Sequence, residues 1–177
     1  MGVSGAATSA GVIVELFNAC FGIKEATFLV GGAREPFYEP GNVAHIHFRE
    51  DFMRSALHEV AHWCVAGKRR HQLPDYGYWY APDGRSEAQQ SAFFSVEARP
   101  QAIESIFCDA CGVGFAPSVD NVEGGVTDTE LEIFVTRITS WRSRFLKEGL
   151  PSRAEQFRRA LNREFAGIHV EKVTDSA

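Results

Sequence analysis

Apolar residues recur along this chain at helical spacing in several stretches and at strand-like spacing in two short ones. Near the N-terminus Ile13, Leu16, Phe17 and Cys20 repeat at three- and four-residue intervals, which predicts an amphipathic helix over about residues 9–21. Short extended segments follow at Thr27–Val30, closed by Gly31 and Gly32, and at Val43–Phe48, where apolar residues alternate with His45 and His47. From about Asp51 to Ala66 the chain is apolar on most sides, through Met53, Ala56, Leu57, Val60, Ala61, Cys64 and Val65, so a buried helix is expected with Gly67 as its C-cap. An aromatic strand or loop, Tyr76–Tyr80, leads to a turn at Pro82-Asp83-Gly84. Ser86 with Gln89, Thr127 with Glu130 and Ser152 with Glu155 each match a capping box, so a helix should start at each. In the second of these Leu131, Phe134, Ile138, Trp141 and Phe145 form one stripe, stopped by Gly149 and Pro151. The last carries Ala154, Phe157, Leu161 and Phe165 inward and Arg153, Arg158, Arg159 and Arg163 on a face expected to be solvated. The pattern predicts a helix-rich α+β fold with a small sheet.

Length and composition narrow the class. At 177 residues and 45% hydrophobic content the chain can bury one core, so a single domain over 1–177 is expected, with 1–10 and 167–177 as peripheral tails. A net charge of -5, from 18 basic and 23 acidic residues, argues against nucleic-acid binding. No run approaches the roughly 18 apolar residues of a membrane span. Met1–Ala10 has no basic residue, against a secretory signal, and Ala6 stands where a myristoylation pattern needs Ser or Thr. Four cysteines in this length do not make a disulfide scaffold, and a cytoplasmic protein is expected.

The chemistry concentrates in His58-Glu59-Val60-Ala61-His62, an H-E-x-x-H motif on the predicted buried helix. Residues four apart lie one turn above each other, so both imidazoles can reach one metal ion. A catalytic ion usually takes a third protein ligand. His71, Asp75, Asp83, Glu87, Glu97, Glu104 and Asp109 lie downstream, and Lys68 stands where a metzincin would have its third histidine. Glu97, within Phe93-Phe94-Ser95-Val96-Glu97-Ala98, is the carboxylate most closely flanked by apolar residues, and buried there it would need a partner such as a metal. Asp109 is the rival. Such a site supports two chemistries. With zinc, Glu59 would be the general base of a peptidase. With iron, two histidines and a carboxylate form the triad of non-haem Fe(II) oxygenases. A non-catalytic adaptor with a closed structural metal site is a third reading, but no Cys or His has the spacing of a fourth ligand.

A wider pattern bears on the choice. Leu57 to Lys68, then Asp75-Tyr76-Gly77-Tyr78-Trp79-Tyr80, Pro82-Asp83-Gly84-Arg85, Val96-Glu97, Pro100-Gln101-Ala102 and Asp120-Asn121-x-Glu123-Gly124 follow in order. Together they resemble the bacterial elongation factor P hydroxylase family, from the first helix to about Phe165. The resemblance implies a metalloprotease-like framework that acts as a monooxygenase on the β-lysylated lysine of elongation factor P. It also implies His58, His62 and Glu97 as the ligands of Fe(II), dioxygen as cosubstrate, and an electron donor that the family pattern does not identify.

On that reading, carboxylates and aromatic faces should line the channel for a long cationic side chain. Asp75, Tyr78, Trp79, Tyr80, Asp83, Asp120 and Glu123 supply them, with Asp75, Tyr78, Asp120 and Glu123 as the expected substrate-binding residues. Glu59 would orient a water or the substrate amine. Lys68, Arg69 and Arg70 form a basic cluster that suits either the helix C-terminus or an acidic protein partner. Cys108-x-x-Cys111, flanked by Ile106, Phe107 and Ala110, reads as core thiols, and His45 and His47 as structural histidines.

Overall fold

The computed structural model describes residues 10–78, 85–119 and 126–174, with side chains to residue 166. The first helix, α1 (Ala10–Phe17), runs directly into a π-helical turn, Asn18–Gly22. The wider turn shifts the helical phase. Ile13, Phe17 and Phe21 become the buried stripe, while Leu16 and Cys20, expected inside, are only half-buried.

Three strands form the sheet: β1 (Thr27–Ala33), β2 (Phe37–Glu39) and β3 (Ala44–Arg49), in the order β1-β3-β2. β1 is parallel to β3, and β2 antiparallel. β2 is absent from the sequence pattern because three residues between Pro36 and Pro40 are too few to show an alternation. Side chains close both edges of the sheet, where unpaired backbone would otherwise recruit another strand. On β1 the Asn18 carboxamide accepts the Leu29 N–H at 2.8 Å and donates to the Leu29 carbonyl at 3.4 Å. On β2 the Tyr38 N–H donates to Asp75 Oδ1 at 2.8 Å and the Tyr38 hydroxyl to the His71 carbonyl at 2.9 Å. Ala44, Ile46 and Phe48 face the core, so His45 and His47 take the opposite face of β3, where Glu39 lies 4.0 and 3.6 Å from them.

The sheet packs against α2 (Met53–Val65), the H-E-x-x-H helix. Trp63 anchors it, with its ring centroid 5.1 Å from Phe17 and 4.8 Å from Phe21. His71 stacks on the same indole at 5.4 Å. The Arg153 guanidinium lies 4.7 Å from it, and Arg153 also pairs with Glu25, so this arginine is not on a solvated face as expected. α2 ends through Ala66 in an extended conformation, φ −64° and ψ 131°, so Gly67 does not serve as a left-handed cap. Of the strand or loop expected at Tyr76–Tyr80, the described part is a loop. Two 3-10 turns, Arg70–Gln72 and Pro74–Gly77, carry the chain, with Asp75 and Tyr76 at positive φ of 47° and 57°.

The long α3 (Glu87–Cys111) starts at the expected capping box of Ser86 and Gln89 and ends on Gly112 at φ 68°. α4 (Asp128–Glu148) starts at the second box, and Phe134, Ile138 and Phe145 are buried as expected. Leu131, one turn before the Phe94–Phe134 ring stack, is instead 38% exposed. α5 (Ser152–Thr174) buries Ala154, Phe157, Leu161 and Phe165, but begins a residue earlier than its box predicts. The Glu155 N–H bonds the Pro151 carbonyl at 2.9 Å, and the Glu155 carboxylate is taken by Arg158 and Arg159. Among the described residues no helix is long and apolar enough to cross a membrane.

Candidate metal centre

α2 and α3 face each other through two polar stripes set in otherwise apolar surfaces. On α2, Arg54, His58 and His62 recur every four residues. On α3, Glu97, Gln101 and Glu104 recur at four and three. Both spacings put the stripe on a single helix face. The stripes pair in opposite order: Arg54 and His58 meet Glu104, and His62 meets Glu97.

At the centre of the zipper, donor atoms of His58, His62 and Glu97 all lie within 4.8 Å of one another. The two Nε2 atoms are 3.1 Å apart, and Glu97 Oε2 lies 3.2 Å from His62 Nε2 and 3.6 Å from His58 Nε2. Two ligand atoms at about 2.1 Å from a shared ion would be separated by about 3.0–3.4 Å, from octahedral to tetrahedral angles. The donor set therefore fits a divalent ion with small side-chain adjustments. His58 is oriented for this role, since its other nitrogen, Nδ1, bonds Glu104 Oε2 at 2.8 Å and leaves Nε2 turned to the centre. Arg54 fixes Glu104 in turn, at 3.0 Å, and also donates to the Ala116 carbonyl at 2.6 Å. Gln101, fully buried, donates to Glu97 Oε2 at 3.4 Å and exchanges two bonds with the backbone of Ser118 at 2.8 and 3.0 Å.

The electrostatics follow from burial against pairing. Burial opposes a charge on His58, but the Glu104 hydrogen bond and the charges of Glu104, Glu97 and Glu59 outweigh it and raise its pKa to about 10. Burial also opposes ionisation of Glu97, yet His62 and His58 beside it, with Gln101, hold it down at about 2. The Glu59 pKa is raised, by burial first and then by the charges of Glu97 and Asp75, against the pull of both histidines.

A pH prediction follows for the metal-free protein. A histidine raised from 6.5 to about 10 contributes stability that is complete below pH 6.5 and lost as pH climbs through 10. Glu97, lowered from 4.5 to about 2, contributes stability present above pH 4.5 and lost as pH falls through 2. Denaturant unfolding should therefore show stability declining from pH 6.5 to 10 without metal, and a much flatter alkaline limb once an ion replaces the proton on His58. A flat profile for the metal-free protein would contradict this charge arrangement.

His58 and Glu97 line an open cavity of about 550 Å³. Glu59, Phe93, Ser55, Glu35 and residues 116–118 share the lining, with Arg54, Gln101 and Glu104. Carboxylates are its commonest charged groups, four against Arg54 and His58. A long cationic side chain would be accommodated here, and an anion disfavoured.

Residues 16–174 match the family described as elongation factor P hydroxylase. A Haemophilus influenzae protein described as "Elongation factor P lysine hydroxylase" is 45% identical over 153 residues, which cover 84% of this chain and 85% of that protein. This chain belongs to the elongation factor P hydroxylase family. Donor atoms of His58, His62 and Glu97 lie together, and Glu59 lines the same cavity as His58 and Glu97. Asp75 stands at the β2 edge, where its carboxylate holds the Tyr38 N–H. The Tyr78 ring lies 4.0 Å from the Arg70 guanidinium and faces a smaller cavity beside His62. Asp120 and Glu123, like Trp79, Tyr80 and Asp83, lie outside the described residues.

Other sequence candidates are engaged elsewhere. Asp109 pairs with Arg142, and His71 bonds the Trp63 carbonyl at 2.9 Å. In the basic cluster Lys68 and Arg69 are exposed, whereas Arg70 bonds the Tyr76 carbonyl at 2.9 Å. Cys108 and Cys111 are buried free thiols, both pushed up to about 12 by burial. Arg54 and Glu35 are not singled out from sequence, Gln101 only within the Pro100-Gln101-Ala102 block, and Glu104 only as one carboxylate among several. A polar stripe at i, i+4 and i+7 inside an apolar helix was the available signal.

Proposed function

We propose that this chain hydroxylates the β-lysylated lysine of elongation factor P, with Fe(II) held by His58, His62 and Glu97. The observation that carries the reading is a cluster of two imidazoles and one carboxylate, of which His58 and Glu97 line a cavity rich in glutamate, in a chain of this family. Two histidines with one carboxylate is the donor set of non-haem iron oxygenases. When bound, the ion supplies the activation of dioxygen that a C–H hydroxylation requires.

The rest is done by the chain. Glu104 keeps the His58 Nε2 lone pair on the centre, and Gln101 holds Glu97 Oε2 in place. Glu35 and Glu59 supply negative charge along the path that the ammonium groups of the modified lysine would follow, with Asp75 adding charge near Glu59. Phe93 offers an apolar wall to the methylenes. Asp120 and Glu123 complete the proposed substrate contacts, whereas Tyr78 lines a separate cavity beside His62. The H-E-x-x-H helix thus serves as a metalloprotease-like framework put to oxygen chemistry. A buried cluster that draws on α1 to α5 and on all three strands supports a single catalytic domain, acting on a translation factor in the cytoplasm.

Zinc in the same donors would make Glu59 a general base for peptide hydrolysis, as its place in the cavity wall allows. One experiment separates the two. Metal-free protein is loaded anaerobically with Fe(II) or Zn(II) and mixed with lysylated elongation factor P and a reductant, and air is admitted. A gain in mass of one oxygen atom with iron and air alone is the expected result. Cleavage of the factor with zinc, or no mass change under any condition, would overturn the proposal.

A further inference from the structure

A second, smaller cavity shares His62 with the centre. It holds about 230 Å³ and is lined by His62, Val65, Tyr78, Val96, Arg99 and Trp141, among others. That is below the roughly 300–1,000 Å³ of sites for drug-sized ligands, so it suits a small molecule. Its charged lining differs from that of the larger cavity. Glu35, Glu59, Glu97 and Glu104 line the one together with Arg54 and His58, whereas Arg99 lines the other with no carboxylate among its described lining residues.

Arg99 is unusual in its company. Its guanidinium lies 5.3 Å from the Trp141 ring centroid and 5.9 Å from that of Phe145, yet it makes no hydrogen bond or ion pair among the described residues, and its Nε is buried without a partner. A buried Nε–H without a partner is costly, and the remaining N–H groups of the guanidinium would take an anion with two adjacent oxygens in bidentate fashion. The next residue, Pro100, lacks the N–H that would otherwise bond the Val96 carbonyl one turn back. Val96 and Pro100 both line the cavity, so an acceptor for a ligand hydroxyl stands near the free donors.

We propose that this cavity binds a small organic anion of the enediolate class, and that this anion is the electron donor of the hydroxylation. The inference rests on the hydroxylase reading. Inserting one oxygen atom of O2 into a C–H bond and reducing the other to water requires two electrons beyond those the C–H bond supplies. An enediol monoanion gives two electrons and one proton as it becomes a dicarbonyl, and solvent gives the second proton. The C–H bond breaks, C–O and O–H bonds form, and the products are the alcohol, water and the dicarbonyl. The cationic lysine and the anionic donor then occupy separate cavities, with His62 between the donor and the centre.

The test uses ascorbate as the probe. Titrated anaerobically by calorimetry into the redox-silent Zn(II)-loaded protein, it should bind saturably at one site. Arg99→Gln should weaken binding by about tenfold or more, a loss of about 1.4 kcal/mol. Arg99→Lys, which keeps the charge without the planar fork, should fall between them and guards against a fold effect at Arg99→Gln. In the Fe(II) enzyme, Arg99→Gln should raise the KM for ascorbate and leave the affinity for lysylated elongation factor P unchanged. No saturable binding at about 10 mM, or equal affinity in Arg99→Gln, overturns the inference. Hydroxylation that proceeds without regard to Arg99 does so too, while leaving the hydroxylase reading intact. Arg99-dependent binding without oxygen transfer to the factor under any condition would instead remove that reading.

Discussion

Glu97→Ala is expected to abolish hydroxylation and to weaken Fe(II) binding by more than the roughly tenfold to hundredfold lost when partners behind a ligand are removed. The carboxylate is 4% exposed and lies within 3.6 Å of both Nε2 atoms, and among the described residues no other group completes a cluster with both histidines. Gln101, its neighbour along α3, has its amide committed to Ser118. Glu97→Gln separates charge from shape: the amide fits the same space and still lacks the anion that a divalent cation prefers. Both variants should bind iron poorly, and Glu97→Gln should keep the circular dichroism and melting behaviour of the metal-free parent more closely. The measurements are an anaerobic Fe(II) titration and the mass of elongation factor P after aeration. Parental iron affinity in either variant would remove Glu97 from the ligand set.

That Glu97 was legible in the sequence, while its supporting partners were not, has a physical reason. A carboxylate between Phe94 and Ala98 stands out because burying it alone is so unfavourable. Gln101 and Glu104 carry no such local mark, and their meaning lies in the alignment of α3 with Arg54, His58 and His62 on α2, which only tertiary packing sets. The same division runs through the fold. The capping boxes at Ser86 and Thr127 are local and formed as expected. The box at Ser152 did not, because Arg158 and Arg159 compete for Glu155. The π-helical turn after Phe17 is held by Asn18 reaching Leu29, eleven residues on, and no helical period encodes it. β2 owes its strand geometry to β3 on one side and Asp75 on the other, since three residues alone have little preference.

Glu104→Ala should show what the supporting partner contributes, and two opposed effects must be weighed. Removing the carboxylate frees His58 Nδ1 from its anchor at 2.8 Å and lets the ring turn, which weakens metal binding. It also lowers the His58 pKa from about 10, which makes the proton a weaker competitor for Nε2. The first effect wins. A carboxylate charge acts on a divalent ion at Nε2 with about twice the Coulomb energy it exerts on a proton at the same place, so its loss costs the metal more than the proton. Iron affinity should fall by about tenfold to a hundredfold near neutral pH, and its dependence on pH should become shallower. The metal-free protein should lose about 1–3 kcal/mol from the unpaired ring nitrogen. Arg54, whose side chain is 40% exposed, can turn to water and limits the loss to that range. Glu104→Gln restores an acceptor for Nδ1–H without the charge, and should recover ring orientation but not the steep pH dependence. Parental affinity with a parental pH slope in Glu104→Ala would mean that His58 is held in place by something other than this carboxylate.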